Sequence, residues 1–225
     1  MTRTLFELAH IESPFVWRAK LALSHKKLEY TPQRLPFTEI PHALDGVSNT
    51  VPVLREADGT DVKESWGIAE YLDNTYPDAP KLLGEARAGE IDEIVSNHVF
   101  PSFFPLYVHD IWSCLPDDQA AYFRESREAR FGVKLEEISA NREDRLPGAR
   151  EGIQPLRDVF NGKLWLNGDT PGYADHIALA FFVWIKSVAK IPPLEVGDPL
   201  LDWIDRGFAL YDGAASKVSG GPLSS

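Results

Sequence analysis

Pro52 is the residue that most restricts this chain. It sits in the run Thr50-Val51-Pro52-Val53-Leu54, whose last two residues have strand character, yet proline has no N–H to give to a sheet ladder. A proline at the start of a strand is also a place where a cis bond is accessible, because the tertiary amide weakens the trans preference. With no ladder bond at Pro52, the N–H and C=O of Val51 are left free to pair with an extended peptide as if it were one more strand. Downstream, Glu64-Ser65-Trp66-Gly67-Ile68 reads as a helix start. The first N–H groups of a helix have no internal partners, so such a start can seat an anion. A free strand edge beside an anion seat suits a small peptide with a free carboxylate. The plainer reading of the same residues is an edge strand, a turn and a capped helix.

The rest of the composition narrows the field. The chain has 225 residues, enough for two modest domains, and 44% of them are apolar, enough for a core. A net charge of −11 argues against nucleic acid and against an anionic membrane surface, so no nucleic-acid and no membrane partner is expected. Cys114 is the single cysteine, which excludes internal disulfides and Cys-rich metal sites; no metal is expected, and a reducing, cytoplasmic setting fits. The first residues run directly into a strand pattern with no signal-like apolar segment.

In chain order, Thr4 to Ala9 reads as a strand, and Ser13-Pro14 as the N-cap and first residue of a helix. Leu28 to Pro32 reads as a second strand, and residues 37–49 as a loop or short helix. Val51 to Arg55 and Asp61 to Lys63 flank Asp58-Gly59, a hairpin signal. Ser65 to Asn74 shows helical spacing at Ile68, Tyr71 and Leu72. From Pro77 to Gly84 the chain reads as a linker, and beyond it the strand signal nearly vanishes. Helices are expected over Ala86 to Cys114, kinked or broken at Pro101 and Pro105, and over Gln119 to Asn141, Ala149 to Phe160, Tyr173 to Ala189 and Pro199 to Tyr211. The apolar Tyr173 to Ala189 segment should be the centre of an all-helical domain.

An α/β unit with a cis-Pro ahead of its hairpin, followed by a helical half, resembles a cytosolic glutathione S-transferase. Ser13-Pro14-Phe15-Val16-Trp17-Arg18 is similar to the first-helix motif of serine-type members. Val51-Pro52-Val53-Leu54 is similar to the cis-Pro loop, and Glu64-Ser65 with Ile68, Tyr71 and Leu72 to the family's acidic-Ser signature. A narrower resemblance, to the β-etherase and fungal etherase-like branch, is carried by Asn141 to Pro147, Trp165 to Asp169, Ser187 to Ala189, Pro192 to Leu194 and Asp202 to Phe208.

The resemblance implies an α/β thioredoxin-like N-terminal domain (residues 1–78) and an all-α C-terminal helical-bundle domain (residues 85–218). It also implies glutathione as the thiol substrate and a homodimer. It places Ser13 beside the glutathione sulfur, where a hydroxyl at a helix N-terminus stabilises a thiolate; the alternative is that Ser13 only caps the helix. Val51, next to Pro52, would pair with the cysteinyl backbone, and Glu64 and Ser65 would hold the γ-glutamyl end. For the glycine carboxylate the candidates are Asn49, Arg34, His42 and the backbone of Ile40. Phe15, Phe103, Phe104, Tyr107 and Trp112 are candidates for an aromatic second-substrate cleft, each also readable as ordinary core. Cys114 reads as a packed thiol. Gly172-Tyr173-Ala174-Asp175 reads as half of a capping box feeding the central helix.

The expected activity is attack of the glutathione thiolate on aromatic electrophiles, including cleavage of β-aryl ethers. The alternative is a carrier of aromatic or phenolic compounds with weak transferase activity.

Overall fold

The computed structural model describes residues 2–84 and 87–225. Its single sheet has the strand order β2-β1-β3-β4. The first strand, β1 (Thr4–Leu8), is followed by α1 (Pro14–His25), which carries the chain over to β2 (Thr31–Leu35), parallel to β1. A short helix, α2 (Ile40–Ala43), precedes β3 (Val53–Arg55), which runs antiparallel to β1 and turns back into β4 (Asp61–Lys63). The turn is built as the Asp-Gly pair requires. Glu56 N donates to Thr60 O at 2.9 Å, and Gly59 takes φ +91°. The helix α3 (Ser65–Thr75) closes this half.

The second strand lies three residues later than the sequence pattern indicates. Thr31, Pro32, Gln33 and Arg34 are all exposed and only Leu35 is buried, so no apolar alternation marks this edge strand. Pro32 is tolerated there because an edge strand has one side free of ladder bonds.

Beyond the linker, α4 (Arg87–Ile94) passes through a π-helical stretch at Val95–Val99 into α5 (Phe100–Ser113). Helical structure runs through Pro101 and Pro105 without a break. Pro101 falls in the first turn of α5, directly after the π turn, and the wider turn displaces the carbonyl the ring would otherwise strike. Ser102 Oγ donates to His98 O at 2.7 Å and Ser139 Oγ to Pro105 O at 3.0 Å, which satisfies carbonyls around the prolines.

The expected single helix over Gln119 to Asn141 is two pieces, with a third helix starting just beyond it. The helix α6 (Asp117–Phe131) stops at Gly132 (φ +73°), a short α7 (Leu135–Ile138) follows, and Asn141 (φ +50°) leads into α8 (Arg142–Glu151). Similarly, Ala149 to Phe160 divides into the end of α8 and α9 (Gln154–Phe160), with Pro155 in the first turn of α9.

The helix α10 (Tyr173–Val188) forms the centre, as its pattern indicates. Lys186 and Ser187 excepted, every residue of it is buried. Its start is tied by Asp175, whose carboxylate accepts from Leu166 N (2.8 Å), Asn167 N (3.2 Å), Gly172 N (3.1 Å) and the Trp203 indole (3.0 Å). Burial pushes the Asp175 carboxyl up while these four donors pull it down. The helix α11 (Leu201–Phe208) packs against α10.

The two halves meet along α1 and α10. Arg18 pairs with Asp92 across the seam at 2.6 Å, and the Tyr173 hydroxyl donates to Ser65 O at 2.6 Å. Beyond α11, Tyr211 (φ +53°) places its hydroxyl 2.8 Å from both His25 Nδ1 and His176 Nε2. On the other side, Gln119 Nε2 donates to Thr38 Oγ1 at 3.1 Å and the Phe37 and Tyr122 rings stack at 6.2 Å.

Candidate active site

A cavity of about 330 Å³ opens between the sheet-bearing half and the helical half. Ser13, Ile40, Asn49, Thr50 and Val51 line it on one side; Phe100, Phe104, Phe123, Arg127 and Trp184 line it on the other.

Ser13 caps α1. Its backbone is extended (φ −71°, ψ 131°), and its Oγ accepts from Val16 N at 3.4 Å. That bond uses a lone pair and leaves the hydroxyl proton free, with no acceptor for it among the described residues. Capping and donation toward the cavity are therefore compatible without rotation of the hydroxyl. The residue is 7% exposed and lines the cavity at the positive end of a 12-residue helix.

The Val51–Pro52 bond is cis, and Pro52 is buried. Among the described residues no group engages the backbone N–H or C=O of Val51. Ser65 is the first residue of α3 and is buried; its carbonyl is held by Tyr173, whose phenol burial keeps protonated as a donor. Glu64, just ahead of it, is exposed, receives a bond from Thr50 Oγ1 at 3.3 Å and stands at φ +61°. That conformation is disfavoured for any residue with a side chain and costs on the order of 1–3 kcal/mol, so the surrounding structure must hold it. Nothing in the local sequence announces it.

Two candidates for the glycine carboxylate of glutathione, Ile40 and Asn49, lie on the cavity wall. His42 is exposed and does not line it. Arg34 is committed elsewhere: it reaches Glu7 at 3.2 Å and Glu12 at 3.7 Å.

The aromatic candidates divide. Phe15, 43% exposed, and Phe104 line the cavity. With Phe100 they form a continuous wall: Phe15 and Phe100 lie 6.5 Å apart, Phe100 and Phe104 stack at 5.2 Å, and Phe104 stacks on Trp184 at 6.2 Å. Tyr107 and Phe103 do not reach it. They are fully buried and stacked on each other, and the Tyr107 hydroxyl donates to Ile191 O at 3.0 Å. Trp112 also lies off the cavity, with the Arg124 guanidinium 4.5 Å over its ring. Helical spacing alone could not separate the two sets, because α5 buries most of its circumference. Cys114 is exposed at the end of α5, not packed.

The candidates drawn from the sequence did not include several lining residues, among them Phe100, Phe123, Arg127 and Trp184. Phe123 and Arg127 are four apart on α6, one face of a helix, and that spacing was the available signal. Among the described residues no cluster of His, Cys, Asp or Glu is placed to hold a metal, and no helix is long and apolar enough to cross a membrane.

Comparison with known proteins places this architecture. Residues 12–75 match the glutathione S-transferase N-terminal domain and residues 90–192 the glutathione S-transferase C-terminal domain. Together these cover most of the chain, which belongs to the glutathione S-transferase family. A probable glutathione S-transferase, GSTU1, of Oryza sativa subsp. indica is 26% identical over 207 residues, 86% of this chain and 80% of that protein. The crystal structure of glutathione transferase GSTFuA2 from Phanerochaete chrysosporium superposes with a TM-score of 0.74 at 25% identity, covering 97% of this chain and 95% of that one. A glutathione S-transferase of Ceriporiopsis subvermispora, in complex with glutathione, superposes with a TM-score of 0.75 at 23% identity, covering 96% and 93%.

The segments that carry the narrower etherase resemblance lie in the scaffold. Arg142 pairs with Asp110 at 2.7 Å, Arg145 donates to Ile138 O at 2.7 Å, and Trp203 donates to Asp175. None of these segments contributes a residue to the cavity lining.

Proposed function

We propose that this chain transfers the glutathione thiolate to aromatic electrophiles. The observation that carries this reading is the unused hydroxyl proton of Ser13, held at a helix N-terminus on the wall of an aromatic-lined cavity. A free thiol with a pKa of about 8.5 is mostly protonated at neutral pH, and a fixed donor plus a helix dipole lower it. Val51 would pair with the cysteinyl backbone, Ser65 with its N–H would take the γ-glutamyl carboxylate, and Glu64 the ammonium. Asn49 and the backbone of Ile40 would take the glycine end. The thiolate then forms a C–S bond to the electrophilic carbon as the leaving group departs with the electron pair of its bond. The Phe15, Phe100 and Phe104 rings hold the acceptor and exclude water.

In this reading residues 1–78 and 85–218 act as glutathione-binding and acceptor-binding domains, the protein works in the cytoplasm, and it pairs as a homodimer as the family resemblance implies. β-Aryl ether ketones are the finer substrate class. The test is glutathione-dependent turnover of chlorodinitrobenzene and of a β-aryl ether ketone by the wild-type protein and Ser13→Ala. Turnover of the first with loss in the variant supports transfer; cleavage of the second supports the etherase class. Aromatic binding without turnover of either would replace the enzyme with a carrier.

A further inference from the structure

A second cavity, of about 340 Å³, adjoins the first. The two share Pro14, Phe15, Phe100, Phe104 and Arg127. Beyond that wall the second cavity is lined by Arg18, Arg130, Val95, Ile177 and Phe181 among others. The chain carries 34 acidic residues against 23 Lys and Arg, yet no carboxylate lines either cavity, and every charged group on the two linings is a guanidinium.

The three guanidiniums differ. Arg18 is answered by Asp92 at 2.6 Å. Arg130 is exposed and lies 5.9 Å from the Phe131 ring. Arg127 is the one that faces both cavities. Its guanidinium sits 4.5 Å over the Phe123 ring, and among the described residues its only hydrogen bond runs from Nη1 to Ser126 Oγ at 2.9 Å. No carboxylate among the described residues lies within ion-pair distance of it, and its Nε is buried without a partner. Burial, with Arg130 nearby, pushes the guanidinium below its ordinary value. A partly buried cation with a vacant donor and no counter-charge is a costly arrangement that an arriving anion relieves.

Building on the transferase reading, we propose that Arg127 selects aromatic acceptors that carry a carboxylate, pairing with that group while the Phe15–Phe100–Phe104 wall stacks on the ring. The guanidinium fork matches a carboxylate in two parallel hydrogen bonds, whereas a neutral amide of the same size offers one weaker acceptor. A purely apolar cleft would not distinguish the two acceptors to this degree.

The test compares chloronitrobenzoate with its carboxamide, which share one reacting C–Cl bond, and normalises each kcat/KM to the uncatalysed reaction with glutathione. The wild-type protein should favour the carboxylate by about tenfold or more, Arg127→Met should bring the ratio to about unity, and Arg127→Lys should retain part of it. Reading the ratio within each variant removes any general loss of activity or folding. A wild-type ratio near unity, or one unchanged in Arg127→Met, overturns the proposal. So does a variant whose acceptor preference persists while its glutathione affinity falls, because Arg127 would then hold the glycine carboxylate of glutathione. Calorimetry of nitrobenzoate and nitrobenzamide without glutathione separates this proposal from the one above it. Arg127-dependent preference for nitrobenzoate with no turnover of any electrophile leaves the anion site standing and removes the transferase; turnover with no preference does the reverse. Failure of both compounds to bind overturns the anion site.

Discussion

The two walls of the cavity are built on different principles. The sheet-bearing wall offers backbone groups and a capping hydroxyl: Val51 and Ser13, each fixed by the course of the main chain. The helical wall offers side chains: three stacked rings and a guanidinium, each fixed only by its rotamer and its neighbours. A site made of main-chain groups can tolerate change in the side chains around it and still hold the same peptide. One made of rings and a cation changes its ligand whenever a side chain changes. The difference teaches where constancy and variety reside in such a fold.

Each wall can be broken separately. The largest effect is expected from Asp175→Ala, which removes the acceptor for four donors at the start of α10, the helix that carries Trp184; three of them, the Trp203 indole included, are buried. A loss of about 3–5 kcal/mol in urea unfolding is expected, and a loss below 1 kcal/mol would show the helical wall to be supported elsewhere. Ser13→Ala should lower kcat by about 10²-fold, because it deletes a donor to the thiolate. It should also cost about 1 kcal/mol of stability for the lost cap. Aromatic binding measured by Trp fluorescence should survive, and its loss would mean that the walls are not independent.

Smaller effects sit at the seam. Tyr211→Phe leaves His25 Nδ1 and His176 Nε2 without their shared partner and should cost about 1–3 kcal/mol. Burial lowers the pKa of both imidazoles, with Lys26 beside His25 and His25 beside His176 adding to it, while the Lys81 backbone and Asp73 act the other way on His25. The folded state therefore prefers neutral rings. Stability is present above the ordinary histidine value of 6.5 and is lost as pH falls below it. Thermal melts from neutral to mildly acidic pH should show a falling Tm. A flat profile would mean that neither ring titrates in the unfolding range.

Much of the sheet-bearing wall was legible because its determinants are local. Ser13-Pro14, Val51-Pro52, Asp58-Gly59 and Glu64-Ser65 each act within a few residues of chain. The edge strand was misplaced because its exposed residues carry no alternation. The helical wall was less legible. Phe103 and Phe104 are neighbours in sequence, yet one is core and the other lines the cavity, a choice made by tertiary packing. Arg127 is one of many charged residues on α6, and nothing local sets it apart from them; the positive φ of Glu64 has no sequence mark at all.

The π turn at Val95–Val99 has a consequence for how this wall is aimed. Each helical residue advances the azimuth by about 100°, and a π turn holds one residue more than the regular repeat. The directions of Phe100 and Phe104 are thus offset from those of α4 by that single extra residue. Removing one residue there would leave every downstream ring in the chain and point it at a different neighbour, so the length of one turn sets the shape of the cleft as firmly as the identity of its rings.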